Sequence, residues 1–133
     1  MSTEPERTEN ESTSQWFALL YPLKPGNKEV VSEIFRRSAR PEHMVRDESG
    51  EVVGRLLRTI VFVGEQACVR VIEVEGDLNT VARHMSRQPG VKAFEQEIAQ
   101  YLSVPRDMTT PEGAQQFFRS AGMECVIHRL HDD

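Results

Sequence analysis

The chain is short of the features that mark several large protein classes. It has two cysteines in 133 residues, Cys68 and Cys125, too few for a disulfide framework or a metal knuckle. Lys and Arg number 16 against 21 Asp and Glu, a net charge of −5 with histidine neutral. No basic cluster stands out to neutralise a row of phosphates, which argues against a nucleic-acid partner. Uncharged apolar runs such as Ile60 to Gly64 are far below the ~20 residues of a membrane span. The N-terminus is acidic and polar with no apolar h-region, so no signal peptide is expected and a cytoplasmic protein is. There is no GxGxxG after a strand, no Walker-type phosphate loop and no His-Glu-x-x-His, so neither a nucleotide cofactor nor a zinc hydrolase centre is expected. The histidines at 43, 84, 128 and 131 lack ligand-like spacing, apart from the near-terminal pair His128 and His131, and no metal is assigned.

What is present divides unevenly. Residues 1–14 carry four Glu and one Arg, so they account for −3 of the −5 and leave 15–133 nearly neutral. Apart from Met1 they hold no apolar side chain, so nothing offsets the entropy of ordering them, and a disordered acidic tail is expected. Residues 15–133 read as one domain; hydrophobic residues make up 38% of the chain, enough for a core at a size that buries roughly two thirds of the unfolded surface.

Gln15–Tyr21 is short, aromatic and apolar, and it stops at Pro22, as a buried strand would. Pro25-Gly26-Asn27 is turn chemistry, with Asn27 placed to cap a helix over Lys28–Ala39 whose apolar stripe is Val30, Val31, Ile34 and Phe35. Residues 40–51 are polar and read as a loop. Val52–Val63 and Ala67–Glu75 are rich in Val and Ile, and the three residues between them fit a hairpin. Asp77 caps a helix to Gln88, Pro89-Gly90 interrupts, and helical spacing resumes over Val91–Leu102. Thr110 and Pro111 open a short helix anchored by Phe117 and Phe118. Gly122 leads into a last strand, Met123–Leu130.

Strand, helix, two hairpin strands, helices, strand is the α+β ferredoxin-like split βαβ order: a four-stranded antiparallel sheet with helices on one face. By simple alternation Val53, Leu57, Val61 and Val63 share one face of the second strand, while Val52, Leu56, Ile60 and Phe62 share the other. A half-solvated sheet should alternate apolar with polar. With no second layer in the chain, the uncovered face calls for another copy, a symmetric homodimer with sheets face to face.

Three runs, Val52-Val53-Gly54-Arg55-Leu56-Leu57-Arg58-Thr59, Val69-Arg70-Val71-Ile72-Glu73-Val74-Glu75-Gly76-Asp77 and Ala82-Arg83-His84-Met85-Ser86-Arg87-Gln88-Pro89, carry a resemblance. With Pro105-Arg106-Asp107-Met108 and the closing Met123-Glu124-Cys125-Val126-Ile127-His128-Arg129, the chain resembles the SchA/CurD-like proteins over about residues 16–129. Those belong to actinobacterial gene clusters for aromatic polyketides, including spore pigments. The resemblance implies a dimeric α+β barrel, the fold shared with small polyketide cyclases and with cofactor-free quinone-forming monooxygenases. It brings no catalytic residues with it.

Candidate residues therefore come from physical chemistry. Arg55 and Arg58 lie mid-strand at opposite parity, so one is expected toward the helices and the other toward the dimer seam. Arg70 has valines on both sides, and Glu73 shares the parity of Val69 and Val71. A charge in such a place pairs or meets a ligand, because a lone buried ion costs several kcal/mol. The structural reading is an Arg–Glu pair across the hairpin, Arg58 or Arg70 with Glu73 or Glu75. The functional reading is that an arginine holds the oxygens of a poly-β-ketone or its enolate. His84, at the edge of a helical apolar stripe, is either a base for an acidic methylene or a boundary histidine bonded to a backbone carbonyl; His128 is comparable. Trp16 and Tyr21, at the ends of the first strand, either pack in the core or at its rim or stack on a planar substrate. His43 reads as solvated and Tyr101 as a weaker proton donor. His84, Arg58 and Arg55 are thus the catalytic candidates; Arg70, Glu73, Trp16, Tyr21 and His128 are the binding candidates, in a cleft between helices and sheet.

Three functions fit this set. One is a cofactor-free cyclase that guides an intramolecular aldol closure of an aromatic polyketide precursor. Another is a cofactor-free oxygenase that turns an anthrone-like phenol into a quinone. The third is a non-catalytic assembly or chaperone subunit, with polyketide synthase components as partners. Paired arginines suit a polyoxygenated open chain best, which favours the cyclase.

Overall fold

A computed structural model describes residues 14–106 and 110–132. The elements are β1 (Ser14–Pro22), α1 (Lys28–Arg36), β2 (Met44–Arg46), β3 (Val52–Val63), β4 (Ala67–Gly76), α2 (Leu78–Ser86), α3 (Pro89–Ala99), α4 (Pro111–Ala121) and β5 (Gly122–Glu124). Of the acidic tail expected over 1–14, all but Ser14 lies outside the described residues.

The sheet runs β2-β3-β4-β1-β5 with every neighbouring pair antiparallel. The four strands β3-β4-β1-β5 reproduce the expected α+β, ferredoxin-like arrangement. The fifth strand, β2, lies inside the segment read as a loop, and it extends the sheet beyond β3. Its three residues are too few to show a period; Val45 alone joins the core, with Ile72, Val74 and Val81.

Capping chemistry sets the helix starts. Asp77 accepts from the Thr80 backbone N–H at 3.0 Å, and Thr110 accepts from that of Gly113 at 3.0 Å. Pro111 and Pro89 open their helices, where a missing N–H costs nothing; Pro89 therefore starts α3 instead of delaying it to Val91. Asn27 precedes α1 without capping it, because its amide donates back to the Lys24 and Pro25 carbonyls. The last strand is shorter than expected. β5 ends at Glu124, and beyond it Val126, Ile127 and Leu130 stand exposed in irregular backbone.

Residues opposite one another in the ladder share a face. Tyr21–Cys68–Val63, Leu19–Arg70–Val61 and Phe17–Ile72–Thr59 form rows on the helix side, while Leu20–Val69–Phe62, Ala18–Val71–Ile60 and Trp16–Glu73–Arg58 form rows on the open side. The core lies entirely with the first set. Leu19, Tyr21 and Cys68 pack against Ile34 of α1, Ile98 of α3 and Phe117 of α4.

The register of β3 shifts at Leu57. Leu56 pairs with Val74 and Arg58 with Glu73, which leaves Leu57 as the extra residue of a β-bulge. Simple alternation fails there. Leu56 joins the helix side with Val61 and Val63, while Arg55 and Arg58, expected on opposite faces, both lie on the open side opposite Glu75 and Glu73.

The β4–α2 turn is made at Gly76, whose φ is +93°, and a Cβ there would meet the Val53 carbonyl oxygen at 2.7 Å. Gly76→Ala should lower stability by about 1–3 kcal/mol, as forced left-handed backbone does, whereas Gly26→Ala, at φ +84° with nothing within 4 Å, should cost less. Urea midpoints of the two variants check this. Both cysteines are free, Cys68 buried and Cys125 exposed, and burial pushes the Cys68 thiol up to about 11. A thiol-reactive dye at pH 8 should therefore label one site rapidly, and Cys125→Ser should remove that labelling until the protein is unfolded.

Candidate functional site

The open side of the sheet is divided along its strands. One end is apolar, with Leu20, Val69, Val71, Ile60 and Phe62. The other end carries the row Trp16–Glu73–Arg58 and, beside it, the cross-strand pair Arg55–Glu75. The chain beyond β5 folds over this second end, and its His128 ring meets the Trp16 indole edge-on with centroids 6.1 Å apart. Between them lies a cleft of about 660 Å³ whose lining includes Trp16, Arg58, Glu73, Cys125 and His128. Four of the eight candidate residues therefore converge, from β1, β3, β4 and the C-terminal segment. They meet on the uncovered face of the sheet, not between helices and sheet where the sequence pattern placed the set.

Arg58 Nε donates to Glu73 Oε1 at 2.9 Å. The arginine side chain is 68% exposed and the glutamate 15%, so Glu73 is the fixed half of the pair and Arg58 the half a ligand reaches. An ion pair this open contributes only about 0–1 kcal/mol to stability. Arg55 Nε lies 2.7 Å from Glu75 Oε1. That nitrogen is buried but not aligned for a hydrogen bond, so the contact is one of charge. Arg58–Glu73 is one of the cross-hairpin pairs that the strand pattern suggested, whereas Arg55–Glu75 was not among those named. Arg55 does not line the cleft.

His84 is elsewhere. Its Nε2 lies 3.0 Å from the Glu42 carbonyl oxygen, which also accepts from Gln88 Nε2 at 2.9 Å. A carbonyl only accepts, so Nε2 carries the proton in this contact. Together with the Glu42 N–H donating to Gln88 Oε1 at 2.7 Å, these bonds tie the segment before β2 to the end of α2. His84 holds a loop, and nothing brings it toward Arg58 or Trp16.

Tyr21 and Arg70 occupy the helix side. Tyr21 is 1% exposed and packs edge-on against Phe117 at 5.4 Å. The Arg70 guanidinium lies 5.7 Å from the Tyr21 ring, 5.7 Å from Phe35 and 5.2 Å from Phe94. A second guanidinium, that of Arg106, lies 4.5 Å from Tyr21 and 4.2 Å from Phe117. Arg106 pairs with Glu95 of α3, both nearly buried. Burial pushes the Tyr21 phenol above its usual range, and the charge of Arg70 only partly opposes this. No linear pattern pointed to Arg106 or Glu95: an arginine after a proline in a connection, and a glutamate in a helix, look solvated until the tertiary fold brings them together. Cys125 was likewise missed as a cleft residue, because the strand expected to carry it ends one residue earlier.

Among the described residues, no group of three or more His, Cys, Asp or Glu could hold a metal ion, and no helix is long and apolar enough to cross a membrane.

The family model described as "SchA/CurD like domain" matches residues 14–130. The polyketide synthase CurD of Streptomyces cyaneus is 40% identical over 84% of this chain and 29% of its own length. The 42.8 kDa protein in the whiE locus of Streptomyces coelicolor is 36% identical over 87% of this chain and 28% of its own. Protein SchA of Streptomyces halstedii is 37% identical over 84% and 28%. The chain thus spans less than a third of the length of these relatives. No solved structure matches it. With a family model covering almost every described residue, the chain belongs to the SchA/CurD-like domain family.

Proposed function

We propose that this protein acts in aromatic polyketide biosynthesis as a cofactor-free cyclase, with the open-face cleft as its site. The pathway is supported by the name of one relative, which is called a polyketide synthase. The observation that carries the reaction is the convergence of Trp16, Arg58, Glu73 and His128 on one cleft. The indole offers a flat apolar wall for a folded polyketone. Neutral imidazole of His128 takes a proton from a methylene flanked by two carbonyls. The enolate carbon then bonds to a second carbonyl carbon of the same chain, and the imidazolium returns its proton to the alkoxide formed. Arg58, held by Glu73, supports the negative charge on oxygen through both steps. Holding the two carbons close supplies much of the acceleration.

The test is the product profile of a minimal synthase expressed with the protein. His128→Ala should reduce ring closure by about 10²–10⁴-fold, the usual range for a lost general base, and Arg58→Ala by about 10²–10³-fold, as for a lost oxyanion donor. Unchanged profiles in both variants, together with protein-dependent oxygen uptake on an anthrone, would replace the cyclase by the oxygenase. A protein whose loss alters the profile, while neither variant does, would be an assembly subunit.

The same reading includes a homodimer. Leu20 (37%), Ile60 (41%) and Phe62 (63%) are exposed on the apolar end of the open face, and a second copy related by a twofold axis offers a matching surface. The ionic end with its cleft then lies at the rim of the interface. Phe62→Glu should convert a dimer to a monomer in light scattering; a wild-type monomer at micromolar concentration would refute the dimer.

A further inference from the structure

The helix side of the sheet holds a charge that the cleft does not use. Arg70 projects from the middle of β4 between Leu19 and Val61, its neighbours in register. Its Nε is buried and has no hydrogen-bond partner, and among the described residues no carboxylate pairs with it. Arg106 enters the same space from the connection between α3 and α4, and its own Nε is likewise buried and unpartnered. The two guanidiniums share the Tyr21 ring, one 5.7 Å and the other 4.5 Å from its centroid.

Charge does not balance here. Glu95 neutralises Arg106. Cys68 and Tyr21 are the other groups that could become anions, but burial raises both and keeps them protonated near neutral pH, despite the two arginines. Among the described residues one positive charge is therefore left over. The aromatic faces around it attract a cation without cancelling its charge, and an uncompensated ion in such surroundings is unfavourable. Arg70 as a residue is half-buried while its Nε is closed off, so the terminal nitrogens of the fork are what an incoming group reaches. A guanidinium fork matches two coplanar oxygens. The surrounding side chains are Tyr21, Phe35 and Phe94 around Arg70 and Phe117 beside Arg106, which suit a flat unsaturated ring system more than a small hydrated anion.

We infer that Arg70 and Arg106 form a second binding site, on the helix side of the sheet and separate from the cleft, that takes an oxyanion carried on a planar aromatic system. Arg70 supplies the charge, Arg106 a neighbouring guanidinium with an unpartnered Nε, and the rings the apolar contact. This does not depend on the cyclase reading, since the two sites lie on opposite faces.

The probe is 1-naphthoate, with 1-naphthamide as the uncharged match, titrated into the full chain by calorimetry and by the arginine Nε–Hε resonances. Naphthoate should saturate and shift the Arg70 resonance, the amide should bind at least tenfold more weakly, and Arg70→Met should weaken naphthoate at least tenfold. If Arg70→Met fails to fold, the wild-type resonance decides: saturation without a shift at Arg70 overturns the site. So does a naphthoate affinity that falls in Arg58→Met but not in Arg70→Met, which would assign the anion to the cleft. No saturable binding up to about 10 mM, roughly tenfold above the ~1 mM that a modest ligand efficiency gives an aromatic acid of this size, also overturns it.

Discussion

One extra residue in β3 decides which chemistry appears on which face. Leu57 stands unpaired between Leu56–Val74 and Arg58–Glu73. With an unbroken ladder Arg58 would fall opposite Ile72, on the helix side, and would have to bury its guanidinium beside an apolar partner. The bulge returns it to the open side, opposite a carboxylate, and leaves Leu56 with the core cluster around Val74 and Val81. Such insertions bend a strand and re-aim its side chains. Here the result is an open face whose two arginines each meet an acid of β4.

The sheet then separates two kinds of electrostatics. On the open side the Arg58–Glu73 pair keeps its arginine in water, where pairing contributes little to stability and the cation remains available to a substrate. On the helix side Arg106 and Glu95 are nearly buried, where desolvation opposes attraction and removing one partner alone would cost about 3–5 kcal/mol. Arg70 has no carboxylate among the described residues and is surrounded by rings. Among the described residues, a guanidinium on the helix side without a carboxylate is a poor device for stability, which is what motivates an anion as its partner.

Much of the architecture was legible before any coordinates. Asp77 and Thr110 announced their helices through side-chain oxygens that do accept the expected N–H groups, and the Val- and Ile-rich pair 52–63 and 67–75 is the central hairpin almost to the residue. The errors have common causes. β2 is three residues long, shorter than any periodicity can register. β5 pairs only with Phe17, Ala18 and Leu19 and stops there although β1 runs on to Ser14, whatever the β-propensity of Val126 and Ile127. His84 looked catalytic because it borders an apolar stripe; the Glu42 carbonyl that occupies it is 42 residues away.

By itself the sequence determined the order of the elements other than β2, the apolar residues on both sheet faces, the mid-strand charges and the family. These are local or additive properties, carried by period, capping chemistry and composition. Only the tertiary structure decided sidedness: that Arg55 and Arg58 share a face, that Arg70 and Tyr21 lie across the sheet from Trp16 and Glu73, and that Arg106 comes to rest by Tyr21. The physical reason is that strand alternation has a period of two, so a single unpaired residue inverts every assignment after it, and the choice to insert one is made by the pairing of whole strands.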